Sequence, residues 1–351
     1  MRRLILRNSQ SPGDIVMLTA AVRDLHRTYP GDFITDVRTP CPDLWRTNPY
    51  IRRLSEQAPA VEIIDCHYPL IHESNQGPWH FLHGFIDFLN RKLSLAIRPT
   101  AFRGDIHLSM DEKDRALLPA PLASGGMPYW IVVAGGKTDF TIKWWSPDRY
   151  QRVVDHFRDR LIFVQVGESG HVHPALHGVI DLRGRTSLRD LVRVVYHAAG
   201  VLTPVSLLMH LAAAVDYPLG DAGSRPCVVV AGGREPPSWE AYATHQFLHT
   251  VGMLPCCSSG GCWKSRTRPL GDGATQDASG SLCVDVVGDL PRCLDMIRPE
   301  HVIERIEWYL EGATVRPRQR APHVISANAF PDTARPLVPV FRRAWSFEAR
   351  P

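Results

Sequence analysis

The stretch Tyr129-Trp130-Ile131-Val132-Val133-Ala134-Gly135-Gly136 places six apolar residues in a row and then stops at two glycines. A short apolar run rich in β-branched and aromatic residues, bounded by glycine, is the pattern of a buried strand. A helix is expected next, over 147–158, with Pro147 in its first turn and Ser146 as its N-cap. The alternation then continues. Residues 161–166 and 179–182 read as strands, 187–198 as a helix, 200–203 as a short strand, 206–215 as a helix and 227–231 as a buried strand. A helix over 301–310 closes the series.

The same alternation lies upstream. Residues 3–8 read as a strand and 15–28 as an amphipathic helix, with strand-length runs at 32–38 and 61–66. Phe81, Leu82, Phe85, Phe88, Leu89 and Leu93 recur at helical spacing over 81–96. Between the two series, 117–128 (LLPAPLASGGMP) is a Pro/Ala/Gly/Ser punctuator. A chain of 351 residues suits two cores of about 150 residues rather than one. The expected fold is therefore α/β, with two Rossmann-like, doubly wound domains facing a cleft. The expected boundaries are 1–122, 123–311 and a tail over 312–351. Ligands of such folds bind at the carboxyl ends of the strands, here in the cleft.

Composition narrows the function. The net charge is +4, but the tail alone carries seven arginines against Asp332 and Glu348, which leaves the body near neutral. A near-neutral body argues against a nucleic-acid groove. The tail reads as a basic Pro/Arg-rich extension. No apolar run approaches the roughly 20 residues of a membrane helix, and the start, Met1-Arg2-Arg3-Leu4-Ile5-Leu6-Arg7, turns polar too soon for a signal peptide. These features lead to the expectation of a cytoplasmic protein without a transmembrane segment.

Five of the eight cysteines (Cys256, Cys257, Cys262, Cys283 and Cys293) fall within 38 residues of a Gly/Ser/Asp-rich segment, 255–294. A cytoplasmic setting disfavours disulfides and favours a metal. The expected ligands are Cys257 (or Cys256), Cys262, Cys283 and Cys293. In an extended chain neighbouring side chains face opposite ways, so Cys256 would be spare. Four thiolates suit zinc or iron and leave no open position, so the metal is structural and no catalytic metal is expected.

Three motifs carry candidate chemistry. Ser11-Pro12-Gly13-Asp14 follows the first strand and opens the first helix; Asp14 is either an ordinary helix-start acid or a general base facing the cleft. Thr141-Ile142-Lys143-Trp144-Trp145 follows the Gly135-Gly136 turn, where Lys143 is placed to meet a phosphate. In Leu202-Thr203-Pro204-Val205-Ser206-Leu207-Leu208-Met209-His210-Leu211-Ala212-Ala213-Ala214 a strand ends, the chain turns at Pro204 and a helix starts near Ser206. Its free N–H groups suit a diphosphate. His171, His173 and His177 lie without paired carboxylates in a stretch that reads as an exposed loop.

Together these marks resemble glycosyltransferase family 9, the ADP-heptose-type heptosyltransferases, over about residues 1–310. The motifs that carry the resemblance are Ser11-Pro12-Gly13-Asp14, Lys143-Trp144, Gly184-Arg185-Thr186-Ser187-Leu188 and Met209-His210-Leu211-Ala212-Ala213-Ala214. The segment from Pro255-Cys256-Cys257 through Gly261-Cys262-Trp263-Lys264 to Cys283 and Cys293 is similar to the cysteine motif of the bacterial autotransporter heptosyltransferases, which implies iron in a four-cysteine finger inserted near the C-terminus. The resemblance implies a GT-B scaffold and an inverting, metal-independent transfer with Asp14 as base. It implies a nucleotide-sugar donor, ADP-heptose by family, held by Gly135, Lys143, Thr203, Pro204, Ser206, Met209 and His210, and a glycan or protein hydroxyl as acceptor. A homo-oligomer is compatible with it. One departure stands out: where the family carries an Asp-Ser/Thr-Gly turn, this chain has Val205-Ser206-Leu207. The competing expectations are a nucleotide-sugar epimerase, and a non-catalytic metal-stabilised binding or scaffold protein.

Overall fold

Strand β1 (Arg2–Arg7) is the centre of a three-stranded parallel sheet, flanked by β2 (Phe33–Arg38) and β3 (Val61–Asp65). Leu4, Ile5 and Leu6 are fully buried because both sheet faces are covered. In the computed structural model, residues 1–118, 127–219 and 225–312 are described. Residues 119–126 of the expected linker and 313–351 of the expected basic tail lie outside the described residues. Met1–Val315 is one unit and Arg316–Pro351 a second; every element below belongs to the first.

Helix α1 (Pro12–Thr28) begins with Pro at its first turn, follows Ser11 as N-cap, and ends with His26 and Arg27 in its last turn. Proline, an early acid and late basic residues all suit those positions. Residues 15–25 of α1 are buried without a break, because α1 packs on α2 (Phe81–Leu93) and on α6 (Leu207–Ala214). Helix α6 comes from the second half of the chain, so the two halves meet along α1. Gly104 marks the closeness: a Cβ there would come within 2.6 Å of Val16 Cγ1 and 2.9 Å of Ala214 Cβ. The short α3 (Met110–Asp114) has a capping box between Ser109 and Glu112.

The second half is built on a six-stranded parallel sheet: β4 (Tyr129–Val132), β5 (Ile162–Gln165), β6 (Ile180–Asp181), β7 (Gly200–Pro204), β8 (Cys227–Gly232) and β9 (Gln246–His249). Their spatial order is β6-β5-β4-β7-β8-β9, which is the 3-2-1-4-5-6 order of a doubly wound dinucleotide-type sheet. Around it lie α4 (Pro147–Phe157), α5 (Leu188–His197), α6 and α9 (Pro299–Leu310). Strand β4 and its continuation alternate between two cores. Tyr129, Ile131 and Val133 join the core shared with α1, while Trp130, Val132 and Ala134 join a second core with Tyr150, Val153 and Ile306. That period of two explains why the run is apolar throughout.

The remaining elements are the short α7 (Pro237–Glu240), the antiparallel pair β10 (Val286–Val287) and β11 (Leu290–Pro291), and α8 (Arg292–Asp295). Sheet order reverses between β4 and β7, so the crevice at their carboxyl ends is the place where such folds take ligands. No helix among the described residues is long and apolar enough to cross a membrane.

Candidate functional site

Asp14 sits in the first turn of α1, where the helix meets α6. Its Oδ1 accepts a hydrogen bond of 2.5 Å from the Tyr68 hydroxyl. Gly13 brings the turn against the second half of the chain: a Cβ there would lie 3.2 Å from His210 Cδ2. Burial raises the Asp14 carboxyl above its ordinary value and the nearby Glu240 charge adds to this, while the Tyr68 hydrogen bond and the His210 charge oppose it. Tyr68 stays protonated, because burial and then the Asp14 charge push its phenol up. The result is a half-buried carboxylate, poised and hydrogen-bonded, at the contact between the two halves.

His210 is 3 % exposed and lies on α6. Its Nδ1 is 2.8 Å from the Tyr242 hydroxyl, and its Nε2 is 3.4 Å from Glu240 Oε2. That second contact is an ion-pair distance only, and Glu240 Oε2 makes no hydrogen bond. Glu240 is 6 % exposed. Burial works to raise its carboxyl, but His210 and Lys143 together hold it below the usual carboxylate range. Phe81 at the start of α2 stacks on Trp239, with centroids 5.3 Å apart, and Phe81 also meets the edge of His210. His80, ahead of α2, is buried with Nε2 unpartnered and is pushed down to about 3, chiefly by burial.

Lys143 follows the Gly135-Gly136 turn. Its Nζ is 2.7 Å from Glu235 Oε1, and 22 % of its side chain is exposed. Burial pushes its ammonium down to about 7 and Arg234 adds to this, while the Glu240 and Asp14 charges oppose. The Glu235 contact works in the same direction as those two carboxylates, so we regard Lys143 as charged at neutral pH. Arg234 also bonds Glu235, and its guanidinium stacks over Phe140 at 4.8 Å and Trp263 at 5.3 Å. Asp14, His210, Glu240 and Lys143 thus feel one another's charge, although they come from four separate elements.

The other expected donor residues are placed unevenly. Thr203 and Ser206 share a hydrogen bond of 2.8 Å where β7 gives way to α6, and Ser206 caps the helix by accepting from Leu208 N at 3.3 Å. Thr203 and Pro204 are buried at the end of β7. Gly135 has φ +97, and a Cβ there would fall 2.1 Å from Val172 O, so only glycine fits this turn. Met209 is fully buried in the core and presents no surface toward the crevice. Val205 is also a core residue, at 5 % exposure. Of the loop histidines, His173 departs from the expected exposure: its Nδ1 lies 3.1 Å from Ala134 O and its Nε2 is buried.

A cavity of about 830 Å3 opens at the carboxyl ends of β1, β2 and β3, lined by Arg7, Asn8, Ser9, Gln10, Arg38, Asp65 and His67 among others. Gln10 on this wall bonds Asn8 and also acts on the Tyr68 phenol, lowering it against the push of burial, which sets the cavity beside Asp14's partner. Sequence analysis missed Tyr68, Glu240, Tyr242 and Arg234. The signal available for Glu240 was a lone acid beside Trp239 in an otherwise uncharged stretch, too weak to single out.

The cysteine segment departs from the extended chain expected around Cys257. Cys256, Cys262, Cys283 and Cys293 line a cavity of about 10 Å3, whereas Cys257 is not on its wall. Residues Pro255–Cys257 form a turn of 3-10 helix rather than extended chain. Cys257 therefore turns inward, its thiol donating to Thr250 O and Leu254 O at 3.6 Å each. All eight thiols are free. Burial pushes Cys256 up to about 11 and Cys293 up to about 12, and the neighbouring cysteines add to both. Among the described residues no group of three or more His, Cys, Asp or Glu side chains is placed to hold a metal ion.

No curated protein matches this sequence. Several solved structures resemble it in fold. A glycosyl transferase family 9 protein from Veillonella parvula is 13% identical with a TM-score of 0.60, covering 89% of this chain and 98% of its own. The ADP-heptose lps heptosyltransferase II of E. coli is 16% identical with a TM-score of 0.55, covering 89% and 100%. The iron-containing dodecameric glycosyltransferase TibC of enterotoxigenic E. coli is 16% identical with a TM-score of 0.56, covering 89% and 76%. At such identities the likeness establishes the α/β fold with parallel sheets. Residues 99–219, which run from ahead of α3 to just past α6, match the family model described as Glycosyltransferase family 9 (heptosyltransferase), and this match together with the fold supports a glycosyltransferase.

Proposed function

We propose that this protein is an inverting glycosyltransferase that moves a sugar from a nucleoside-diphosphate donor, ADP-heptose by analogy, to an acceptor hydroxyl. The observation that carries the reading is the setting of Asp14: a raised carboxyl, hydrogen-bonded by Tyr68, on a turn whose Gly13 lies against His210 where α1 meets α6. The fold neighbours add to it, since one of them is the E. coli heptosyltransferase WaaC with ADP-2-deoxy-2-fluoro heptose and another is TibC in complex with ADP-D-beta-D-heptose.

In this mechanism the acceptor enters the cavity at the carboxyl ends of β1 to β3. Asp14 takes the proton of its hydroxyl as that oxygen attacks the anomeric carbon from the face opposite the diphosphate. The bond from that carbon to the diphosphate oxygen breaks, and the nucleoside diphosphate leaves with the electron pair. Lys143 and the first turn of α6, with Thr203 and Ser206 at its entrance, offset the charge that develops there; each such donor commonly contributes about 2.7–4 kcal/mol. The aromatic cluster of Phe81, Trp239 and Tyr68 covers one side of Asp14 and would limit water access there, and with it hydrolysis of the donor.

Four thiols line the small cavity, and four thiolates are the donor set of a closed structural site, although as they stand the side chains are not gathered at metal-binding geometry. We read Cys256, Cys262, Cys283 and Cys293 as the residues that would hold iron or zinc. Bound there, the ion would add folding energy and no reaction chemistry. A cation would also reverse the upward push on Cys256 and Cys293.

The test is Asp14→Asn. Transfer from ADP-heptose should fall by at least about a thousandfold while ADP binding stays within about threefold of wild type. Near-wild-type transfer would remove Asp14 as the base.

A further inference from the structure

We propose that Asn75 is a positioning residue that fastens the cysteine segment to the segment carrying Tyr68, so that the order of the thiol cluster sets the placement of the hydroxyl that holds Asp14. The catalytic part of this statement rests on the reading of Asp14 as base; the fastening itself does not.

The side-chain amide of Asn75 is spent on the cysteine segment. Its Nδ2 donates to Gly261 O at 2.8 Å, and its Oδ1 accepts from Gly261 N and from Trp263 Nε1, each at 2.9 Å. One amide therefore pairs with both the N–H and the C=O of a single residue, as a neighbouring strand would. The loop is shaped for this approach. A Cβ on Gly260 would lie 2.6 Å from Asn75 Cγ, and one on Gly261 would lie 2.2 Å from Arg234 O. Trp263 is held at φ +54, a conformation that costs a non-glycine residue about 1 kcal/mol or more. Its surroundings hold it there: Trp263 N donates to Arg234 O at 3.0 Å, and the Arg234 guanidinium covers its ring.

Each end of this fastening leads to a known feature. Cys262 lies between the two residues that Asn75 grips; its N–H bonds Gly233 O at 3.1 Å, and it lines the thiol cavity with Cys256, Cys283 and Cys293. On the other side, Pro69–Glu73 is a turn of 3-10 helix that connects Tyr68 to Asn75 and is closed by Ser74 Oγ donating to Ile71 O at 2.6 Å. Tyr68 is joined to this turn through its carbonyl, which accepts from Ile71 N at 3.4 Å, and its side chain packs closely on α2, where a Cβ on Gly84 would fall 2.5 Å from Tyr68 Cβ. Its hydroxyl then reaches Asp14. A loosened cysteine segment releases Asn75, and with it the turn that aims Tyr68.

Hydrogen exchange on the full chain tests the fastening, with Asn75→Ala, Asn75→Asp, Cys262→Ser, Cys283→Ser and the Asn75→Ala/Cys262→Ser pair. The reporters are the amides of Ile71, Ser74, Gln76 and Gly77, each hydrogen-bonded inside the segment. Loss of three hydrogen bonds should speed their exchange by about tenfold or more in Asn75→Ala. Asn75→Asp, which keeps the acceptor but sets a carboxylate against Gly261 O, should do the same. Cys262→Ser or Cys283→Ser should match that increase, and the double variant should add nothing further, since both act through one fastening. Exchange at Ile131 in β4 should be unchanged in Asn75→Ala, which separates the effect from general unfolding. In transfer assays Asn75→Ala should lower kcat by about tenfold with ADP affinity unchanged. Unchanged exchange at residues 71–77 in Asn75→Ala, or effects that multiply in the double variant, would overturn the proposal. A wild-type protein that transfers no sugar would sink the glycosyltransferase reading while leaving the exchange result to decide the fastening.

Discussion

Tyr68→Phe separates a base tuned by its neighbours from a carboxylate that is merely present. Tyr68 donates to Asp14 at 2.5 Å, and this bond opposes the burial that raises the carboxyl. A hydrogen bond to a charged acceptor contributes about 1.5–3 kcal/mol, and Asp14 is partly exposed, so the low end, about 1.5 kcal/mol, is appropriate. That is roughly a tenfold change in the protonation equilibrium of Asp14. Phenylalanine preserves the packing against Phe81 and Phe85, so only the bond is lost. The sign is fixed: without the donor, Asp14 holds its proton to higher pH, and the deprotonated base becomes scarcer at any pH on the acidic side.

The assay is transfer of the sugar across pH 4.5–9, with Asp14→Asn as the baseline. The acidic limb of kcat/KM should move to higher pH, so that the variant is about tenfold slower than wild type on that limb. On the alkaline plateau the two should agree within about threefold. Tyr68 is itself held protonated throughout this range, because burial and Asp14 push its phenol upward, so its own ionisation does not confuse the profile. A loss equal at every pH would mean that Tyr68 acts on substrate directly rather than through Asp14. A limb that moves to lower pH would refute the tuning argument.

Asp14→Asn should also raise the Tm at pH 8: a carboxyl raised by folding contributes stability that is lost as pH rises through its folded value, so removing the charge relieves that cost, and a lower Tm at pH 8 would contradict the burial argument. Glu112 is the opposite case. It grips Arg189 through two hydrogen bonds of 2.6 Å, chiefly because of which its carboxyl falls to about 2, so its contribution is present above about 4.5 and lost as pH falls toward about 2. Glu112→Gln should cost about 2 kcal/mol in urea unfolding at pH 7, with little further loss down to pH 3. Elemental analysis should find about one iron or zinc per chain in wild type and far less in Cys283→Ser, whereas Cys257→Ser should keep it; metal lost with Cys257 but kept without Cys256 would reverse the assignment of thiols.

The strands and helices were legible because they obey local rules. Residues 129–134 read as buried on both faces, and 147–158 announced its start through Ser146 and Pro147; α4 is Pro147–Phe157. Strand β9 was not visible, since Gln246–His249 is short and half polar and gains its identity only from pairing with β8. Asp14 could be singled out because its place after a strand and at a helix start is a sequence fact. Its partners could not: Tyr68 and Glu240 reach it through tertiary packing, from 54 and 226 positions away. The thiol cluster was legible as a cluster, but the extended chain assumed around Cys257 was not, since Pro255–Cys257 is a turn of 3-10 helix whose shape only packing decides.

Val205 shows why a motif and a site are different things. The resemblance expects a carboxylate just ahead of the His-Leu-Ala-Ala run, and this chain puts a buried valine there. An acid at that position would need partners, and the first turn of α6 already uses Ser206 to cap itself and Thr203 to hold Ser206. A carboxylate does stand beside that run, 3.4 Å from His210 Nε2, but it belongs to Glu240 on α7. Its Oε2 makes no hydrogen bond although the residue is almost fully buried. Its charge is offset by His210 and Lys143, which hold the carboxyl below the usual range despite its burial, so a negative charge stands beside Asp14 at this point. The local motif carries no acid while the three-dimensional site has one, and it is the approach of Glu240 on α7 to His210 on α6 that makes the two statements compatible.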